Sequence, residues 1–186
     1  MDLILLQPGN ADDIIGSDSS TYIDNTWRDD ILQFGKCMEL VSIHHGMKQQ
    51  ITTDVSNKSR TSGRPIITEF TCVKYVDQTS VKLYDYCLRA ASLGSGDDKP
   101  TKIYIARNSQ DKTANIMTIA LRDAIISEIQ FQSHPDDMPT EQFKLSFTEI
   151  LWTYTTQVAD MTTPGSIHAG WSIARNRPIG KFTTLT

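Results

Sequence analysis

Cysteine is scarce in this chain. Cys37, Cys72 and Cys87 are the only three among 186 residues. An odd number at wide spacing suits neither a disulfide framework nor a zinc-ligand set, and the expectation is a reduced fold made in the cytosol. Long apolar runs are missing too. No stretch approaches the roughly 20 apolar residues that cross a bilayer as a helix, which argues against membrane insertion. The opening "MDLILLQPGN" has an acid at position 2 and a very short apolar run, so no cleaved signal peptide is expected. Positive charge is not in excess. Lys and Arg total 18 against 22 Asp and Glu, for a net charge of −4 and a pI near 5.5. That balance disfavours general binding to a phosphate backbone. Gly-rich catalytic motifs are absent as well. "LGSGDDKP" lacks the Lys-Ser/Thr of a phosphate loop, and no Gly-x-Ser-x-Gly elbow occurs.

What remains is ordinary globular material, 39% apolar and 22% charged, of a length that suits one domain over residues 1–186. Strand patterns dominate. Leu3 to Gln7 forms a short strand ended by Pro8-Gly9. Residues 9–35 read as a polar loop with a helical turn near Trp27 to Leu32. Residues 37–51 read as a strand, and "TTDVSNKSRTSGRP" (52–65) as loop chemistry throughout. Strand formers return at Ile66 to Val76. The period then changes. Thr79 or Ser80 suits an N-cap. Leu83, Tyr84, Cys87, Leu88 and Ala91 form an apolar stripe at helical spacing, Asp85 and Arg89 form an i,i+4 pair, and Gly94 suits the C-terminal end.

Further strands are expected at Lys102 to Arg107, Ile116 to Phe131, Gln142 to Thr156 and His168 to Ala174. In "KLSFTEILWTYTTQ" the apolar residues shift from odd positions (Leu145, Phe147) to even ones (Ile150, Trp152, Tyr154). A strand has a side-chain period of two, so this switch marks a bulge or a change of buried face. Long strands that change face turn the corners of small barrels. The residues therefore predict a mainly β chain, a barrel of roughly seven or eight strands with one flanking α-helix.

Chemistry is harder to find. His44 and His45 are adjacent on a strand and point to opposite faces, so they do not converge on a metal. His134 and His168 have no Cys or carboxylate cluster at ligand spacing. The doublets Asp12-Asp13, Asp29-Asp30, Asp97-Asp98 and Asp136-Asp137 fall in polar turns, where they solvate the loop rather than pair for catalysis. Lys58, Arg60 and Arg64 make the only compact basic cluster. No catalytic, cofactor or metal site is expected.

One stretch does carry a signature. "FTCVKYVDQTSVKLYDYCLRA" (70–90) resembles the hallmark segment of the hemolysin-coregulated protein (Hcp) family of type VI secretion systems, through Phe70, Thr71, Lys74, Tyr75, Asp77, Ser80 and Leu83. Further likenesses follow in order: "LVSIHHGM", the loop "DVSNKSRTSGRP", "LRDAIISEIQ", "LSFTEILWTYTTQ", and "GWSIARN" with Trp171. The resemblance covers residues 1–7 and 36–177. Residues 18–35 look like an insertion and 178–186 like a short tail, and "IIGSDS" keeps only part of the family's short element after the first strand.

The resemblance implies a double-layered β-barrel with a helix, assembling as a homohexamer whose rings stack into a tube. It implies sheath and spike or tip proteins as partners and small effectors in the lumen. It also implies residence in the bacterial cytoplasm before firing, then secretion without a cleaved signal peptide. The loop carrying Lys58, Arg60 and Arg64 would meet a neighbouring ring or protomer. Such a subunit is no enzyme and needs no cofactor. A small-ligand or nucleic-acid-binding barrel is the alternative, and a β-barrel hydrolase is a third reading that lacks a convergent nucleophile and base.

Overall fold

The computed structural model describes residues 2–16, 34–53, 60–109, 112–155 and 165–184. The expected insertion at 18–35, apart from its last two residues, lies outside them, as does Lys58. Side chains at 52–62, Arg60 among them, are also outside the description.

Two sheets hold the fold. The larger has seven strands. Next to one edge lies β1 (Asp2–Gln7), which pairs antiparallel with the edge strand β2 (Met38–Leu40) on one side and β9 (Thr101–Ser109) on the other. Beyond β9 come β10 (Lys112–Arg122), β13 (Glu149–Thr155), β14 (Ser166–Ser172) and the two-residue β15 (Arg177–Pro178). The smaller sheet orders β11 (Ile125–Gln132), β12 (Thr140–Ser146), β8 (Phe70–Tyr75) and β3 (Ser42–His44). The chain passes between sheets at Val41, at Asp123–Ala124 and at Phe147–Thr148. The last crossing is where apolar parity switches. Leu145 on β12 and Ile150 on β13 are both fully buried, because the face changes as the strand changes sheets. The first of the two long strands expected at 116–131 and 142–156 likewise divides, at Asp123, whose φ of 50 breaks the extended run.

The core lies between the sheets. Leu6, Met38, Ile103, Ile119 and Leu121 face Phe70, Cys72, Phe143, Leu145 and Ile126 across it. A smaller cluster occupies the other face of the seven-stranded sheet, where Leu3, Leu5 and Ala106 meet Phe34, Cys37 and Tyr104. β1 is thus buried on both faces, which is why its sequence is apolar without alternation.

Among the described residues two helices flank the sheets: α1 (Ala11–Ile14) and α2 (Gln78–Leu88). Three expectations for α2 need correction. Its N-cap is Asp77, not Thr79 or Ser80. The Asp77 carboxylate accepts from Thr79 N–H at 2.8 Å, and Ser80 Oγ accepts from Asp77 N–H at 3.0 Å, closing a reciprocal capping box. The buried face is Thr79, Ser80, Leu83 and Tyr86, while Leu88 is 88% exposed. This rotation follows from the N-terminus: with Ser80 held inward, the residues that follow inward at helical spacing are 83 and 86. The C-terminus is not made by Gly94. Ala90 N–H donates to Cys87 C=O and Ala91 N–H to Tyr86 C=O, a Schellman pattern with Ala90 at φ 50. The Asp85–Arg89 pair forms as expected.

Gly94 has a different use. A Cβ there would lie 2.2 Å from Lys99 O and 2.5 Å from Gly9 Cα, so two backbones cross where no side chain fits. Asn10 N–H, donating to Leu93 C=O at 2.6 Å, secures that crossing.

The 37–51 and 52–65 segments also differ from expectation. Instead of one strand and one loop they contribute β2 and β3, then a two-stranded arm. In the arm β4 (Met47–Lys48) pairs with β7 (Ile66–Ile67), and β5 (Ile51–Thr53) pairs with β6 (Arg60–Ser62). The arm's ladders run only two or three residues each, too short to carry an alternation that would reveal the pairing.

Burial of α2 sets a direct test by thermal or urea denaturation. Leu83→Ala removes a fully buried side chain and should cost about 2–5 kcal/mol. Leu88→Ala should change stability by less than about 0.5 kcal/mol, as an exposed substitution does. Equal effects from the two would mean that α2 packs through another face.

Candidate functional site

The hallmark residues converge on one buried charge. Lys74 lies on β8 directly opposite Glu141 on β12, and neither side chain is exposed at all. Water cannot solvate the ammonium there, so protein groups must. Its Nζ sits 2.9 Å from Glu141 Oε1, 3.0 Å from Asp77 Oδ1 and 2.9 Å from Tyr75 O. Ser80 Oγ donates to the same Glu141 oxygen at 2.8 Å. The Tyr84 hydroxyl is pushed up to about 12, by burial first and then by the Glu141 carboxylate beside it. One cation therefore ties β8, β12 and the N-terminus of α2 together.

The other hallmark residues serve the surroundings. Phe70 is buried and stacks on His45 with ring centroids 4.0 Å apart. Thr71 faces outward on β8, Tyr75 is about half exposed, and Leu83 is buried beneath α2. Trp171 packs on the core from β14, opposite Ile150. Of the basic cluster only Arg64 has a described side chain. Arg64 is exposed and donates from Nη2 to Ile173 O at 2.8 Å, tying the arm to the turn after β14.

Two features escaped the sequence reading. Glu149, almost fully buried, receives Arg122 Nη1 at 3.3 Å and, from the chain's tail, Thr183 N–H at 2.9 Å and Oγ1–H at 2.7 Å. Burial raises this carboxyl, but donors from Thr183, Ser172 and Arg122 outweigh it and hold the group below its usual 4.5. Its partners are far away in sequence, and no spacing announces them. The second feature is an open cleft of about 370 Å³ at the root of the arm, lined by His44, His45, Thr68, Glu69, Thr71 and Lys144. Burial lowers the His45 imidazole below 6.5, against a hydrogen bond with the Thr68 backbone. Lys144 in this cleft is already paired with Glu128 at 2.5 Å.

Among the described residues no three His, Cys, Asp or Glu side chains gather to hold a metal. The nearest hydroxyl–imidazole contact is Ser166 Oγ to His168 Nε2 at 2.8 Å, with Thr153 Oγ1 at 3.0 Å from Nδ1. These three lie on an exposed strand face. Surfaces are the notable feature instead. Met47, Ile51 and Ile66 on the arm are 61%, 61% and 48% exposed. Tyr154 and Ile167, a cross-strand pair on β13 and β14, are 47% and 68% exposed.

Residues 31–154 match the family described as "Type VI secretion system effector, Hcp". The chain belongs to the Hcp family. Solved structures agree in fold. One, described as a type six secretion system protein, matches with a TM-score of 0.73 at 17% identity, over 96% of this chain and 100% of that one. Hcp1 from Salmonella typhimurium matches with a TM-score of 0.62 at 17% identity, over 96% and 99%. Hcp1 from E. coli EAEC 042 matches with a TM-score of 0.57 at 20% identity, over 89% and 96%. At such identities the likeness is one of fold. A search of curated proteins finds no match. Membership makes the chain a tube and effector-carrying protein of the type VI secretion system, within a family that the system secretes. No helix among the described residues is long and apolar enough to cross a membrane. The double-layered, barrel-like β-fold with a flanking helix is the Hcp fold.

The buried network predicts strong non-additivity. Lys74→Met leaves Glu141 buried beside a lost cation and should cost about 3–5 kcal/mol, and Glu141→Leu about the same. The double variant should cost less than either single one in urea denaturation. Additive losses would show that the two charges act independently.

A pH dependence follows from His45. Its folded pKa lies below the unfolded 6.5, so between those values the unfolded chain binds more protons and stability rises with pH. The melting temperature should fall as pH drops below about 6.5. His45→Phe, which keeps a ring on Phe70, should flatten that slope. An unchanged slope would assign it to other groups.

Proposed function

We propose that this chain is the subunit of a type VI inner tube, forming hexameric rings that stack inside a contractile sheath and carry small effectors in the lumen. The reading rests on the family match over residues 31–154. The sheath and the spike or tip proteins are its partners. The subunit resides in the bacterial cytoplasm until the tube is fired, then leaves without a cleaved signal peptide. Its function lies in assembly rather than turnover.

Physical support comes from the arm and the exposed apolar pairs. A two-stranded ribbon standing alone is at best marginally stable in water. Here such a ribbon also exposes Met47, Ile51 and Ile66. Burial against a neighbour would repay both liabilities, at about 25 cal/mol per Å² of apolar surface. Closed rings need one patch to meet a different patch repeated around an axis. Within this reading the arm's cations Lys58, Arg60 and Arg64 belong to an interface between copies, where guanidinium groups form forked bonds to carboxylates or carbonyls.

Size-exclusion chromatography with light scattering should give a particle of ring mass, and negative-stain microscopy should show rings with a central hole. A culture-supernatant blot should detect the protein only when the secretion system is intact. A persistent monomer at micromolar concentration would overturn the reading.

A further inference from the structure

We infer that the C-terminal strap, residues 177–184, is a latch that closes the outer edge of β14 against strand addition by a second copy, and that Glu149 is its catch. The inference concerns unwanted pairing of copies and does not depend on the tube reading.

The strap's path carries the first part of the argument. It pairs with the end of β14 as Arg177 opposite Ser172 and Pro178 opposite Trp171. Ile179 N–H then donates to Gly170 O at 3.0 Å. Here the strap turns over the face of the strand. A Cβ on Gly170 would lie 2.8 Å from Ile179 O and would also strike the Leu151 side chain, so only glycine admits the crossing. Among the described residues, Ser166 to Ala169 meet no strand on this outer side. Backbone groups alternate along a strand, so those of Ser166 and His168 point outward as the Gly170 carbonyl does.

The catch lies where the strap ends. Register places Arg122 of β10, Glu149 of β13 and Ser172 of β14 side by side. Thr183 reaches this row and donates its N–H to Glu149 Oε2 at 2.9 Å and its hydroxyl to Oε1 at 2.7 Å. Both oxygens of one buried carboxylate thus hold the strap, while Arg122 Nη1 stands 3.3 Å from Oε2. Hydrogen bonds to an ionised acceptor are the strong ones. Between its two attachments the strap is lightly held. Gly180 and Lys181 are exposed, and Ile179 and Phe182 are half-buried. A segment tied at its ends with an exposed middle opens locally without loss of the core.

Composition explains what the latch protects against. β14 reads "SIHAGWS", with no Lys, Arg, Asp, Glu or Pro, and its Ile167 is 68% exposed. An uncharged edge of this kind is a template for another strand. The strap replaces part of that edge with its own, and the new edge carries Arg177, Pro178 and Lys181. A positive charge and a residue without N–H both oppose further pairing. Opening the strap adds Gly170 to Ser172 to the unpaired stretch, so that all seven residues of β14 become available. That is long enough for an ordinary strand partner of about five or six residues.

Thr183→Glu in the full-length chain tests the catch, because it sets a second carboxylate against Glu149 and leaves the Arg122–Glu149 pair in place. Amide hydrogen exchange over residues 177–184, read by mass spectrometry, should quicken at least about tenfold, while exchange in β1 and β8 stays as in the wild type. Thr183→Ser, which keeps both donors, should exchange like the wild type. Sedimentation should show Thr183→Glu forming assemblies larger than those of the wild type. A synthetic peptide "RPIGKFTT", the strap's own sequence, should reverse them when added in excess. Ile167→Lys added to Thr183→Glu should leave the strap open yet prevent the assemblies, since a charge then sits on the bare edge. Unchanged exchange in Thr183→Glu removes Glu149 as the catch. An opened strap without larger assemblies, or assemblies that survive both the peptide and Ile167→Lys, removes the guarding role.

Discussion

A charge sealed away from water constrains the rest of this fold. Lys74 has no exposed surface, so its neighbourhood must deliver anions and carbonyls at hydrogen-bond distance. Glu141 comes from the adjacent strand, Asp77 from the helix cap and Tyr75 O from the backbone next door. Slipping β12 by one residue would turn Glu141 to the outer face and strand the cation, so the pair fixes register more sharply than apolar packing would. The same charge fixes the helix. Asp77 is drawn into position as cap and Ser80 is turned inward to Glu141, which sets α2's buried face at Leu83 and Tyr86.

Rigidity at the centre contrasts with what projects from the ends. The four-stranded sheet is held by Lys74 near one end and by the Phe70–His45 stack near the other. Beyond the stack, the arm is secured at its base by Thr68 and Gly46, which exchange hydrogen bonds, and by Arg64 on Ile173 O. A fold built this way offers firmly mounted surfaces. That suits a protein whose family moves other molecules.

Much of this was legible in the residues, and the illegible parts have physical causes. The parity switch at Leu145, Phe147 and Ile150 marked a change of sheet because period-two patterning is local and strong. The Asp85–Arg89 pair was legible for the same reason. The hallmark residues pointed to the family, but their arrangement around Lys74 depends on Glu141, 67 positions away. Capping preference pointed to Thr79 or Ser80, and the buried cation decided for Asp77. Leu88 looked like core by spacing but faces solvent, since spacing gives a stripe without its rotation. The arm's ladder left no trace, because runs of two or three paired residues are too short to show an alternation. The Glu149 site, joining Arg122 to Thr183, draws on groups 27 and 34 residues distant and could not be read from any window.

The place of β1 in the larger sheet bears on the order in which the chain can fold. Its two edges are paired only when β2 and β9 flank it, and Leu5 pairs with Tyr104 about a hundred positions later. A ribosome releases this strand long before its partner β9. Closing so long a loop precedes the contacts that reward it, which makes docking of β1 slow compared with formation of the β11–β12 hairpin. Until then a strand with Leu3, Ile4, Leu5 and Leu6 stays open to any other unpaired edge. A nascent chain thus carries an apolar strand that waits long for its partner, and crowded translation raises its exposure to other unpaired strands.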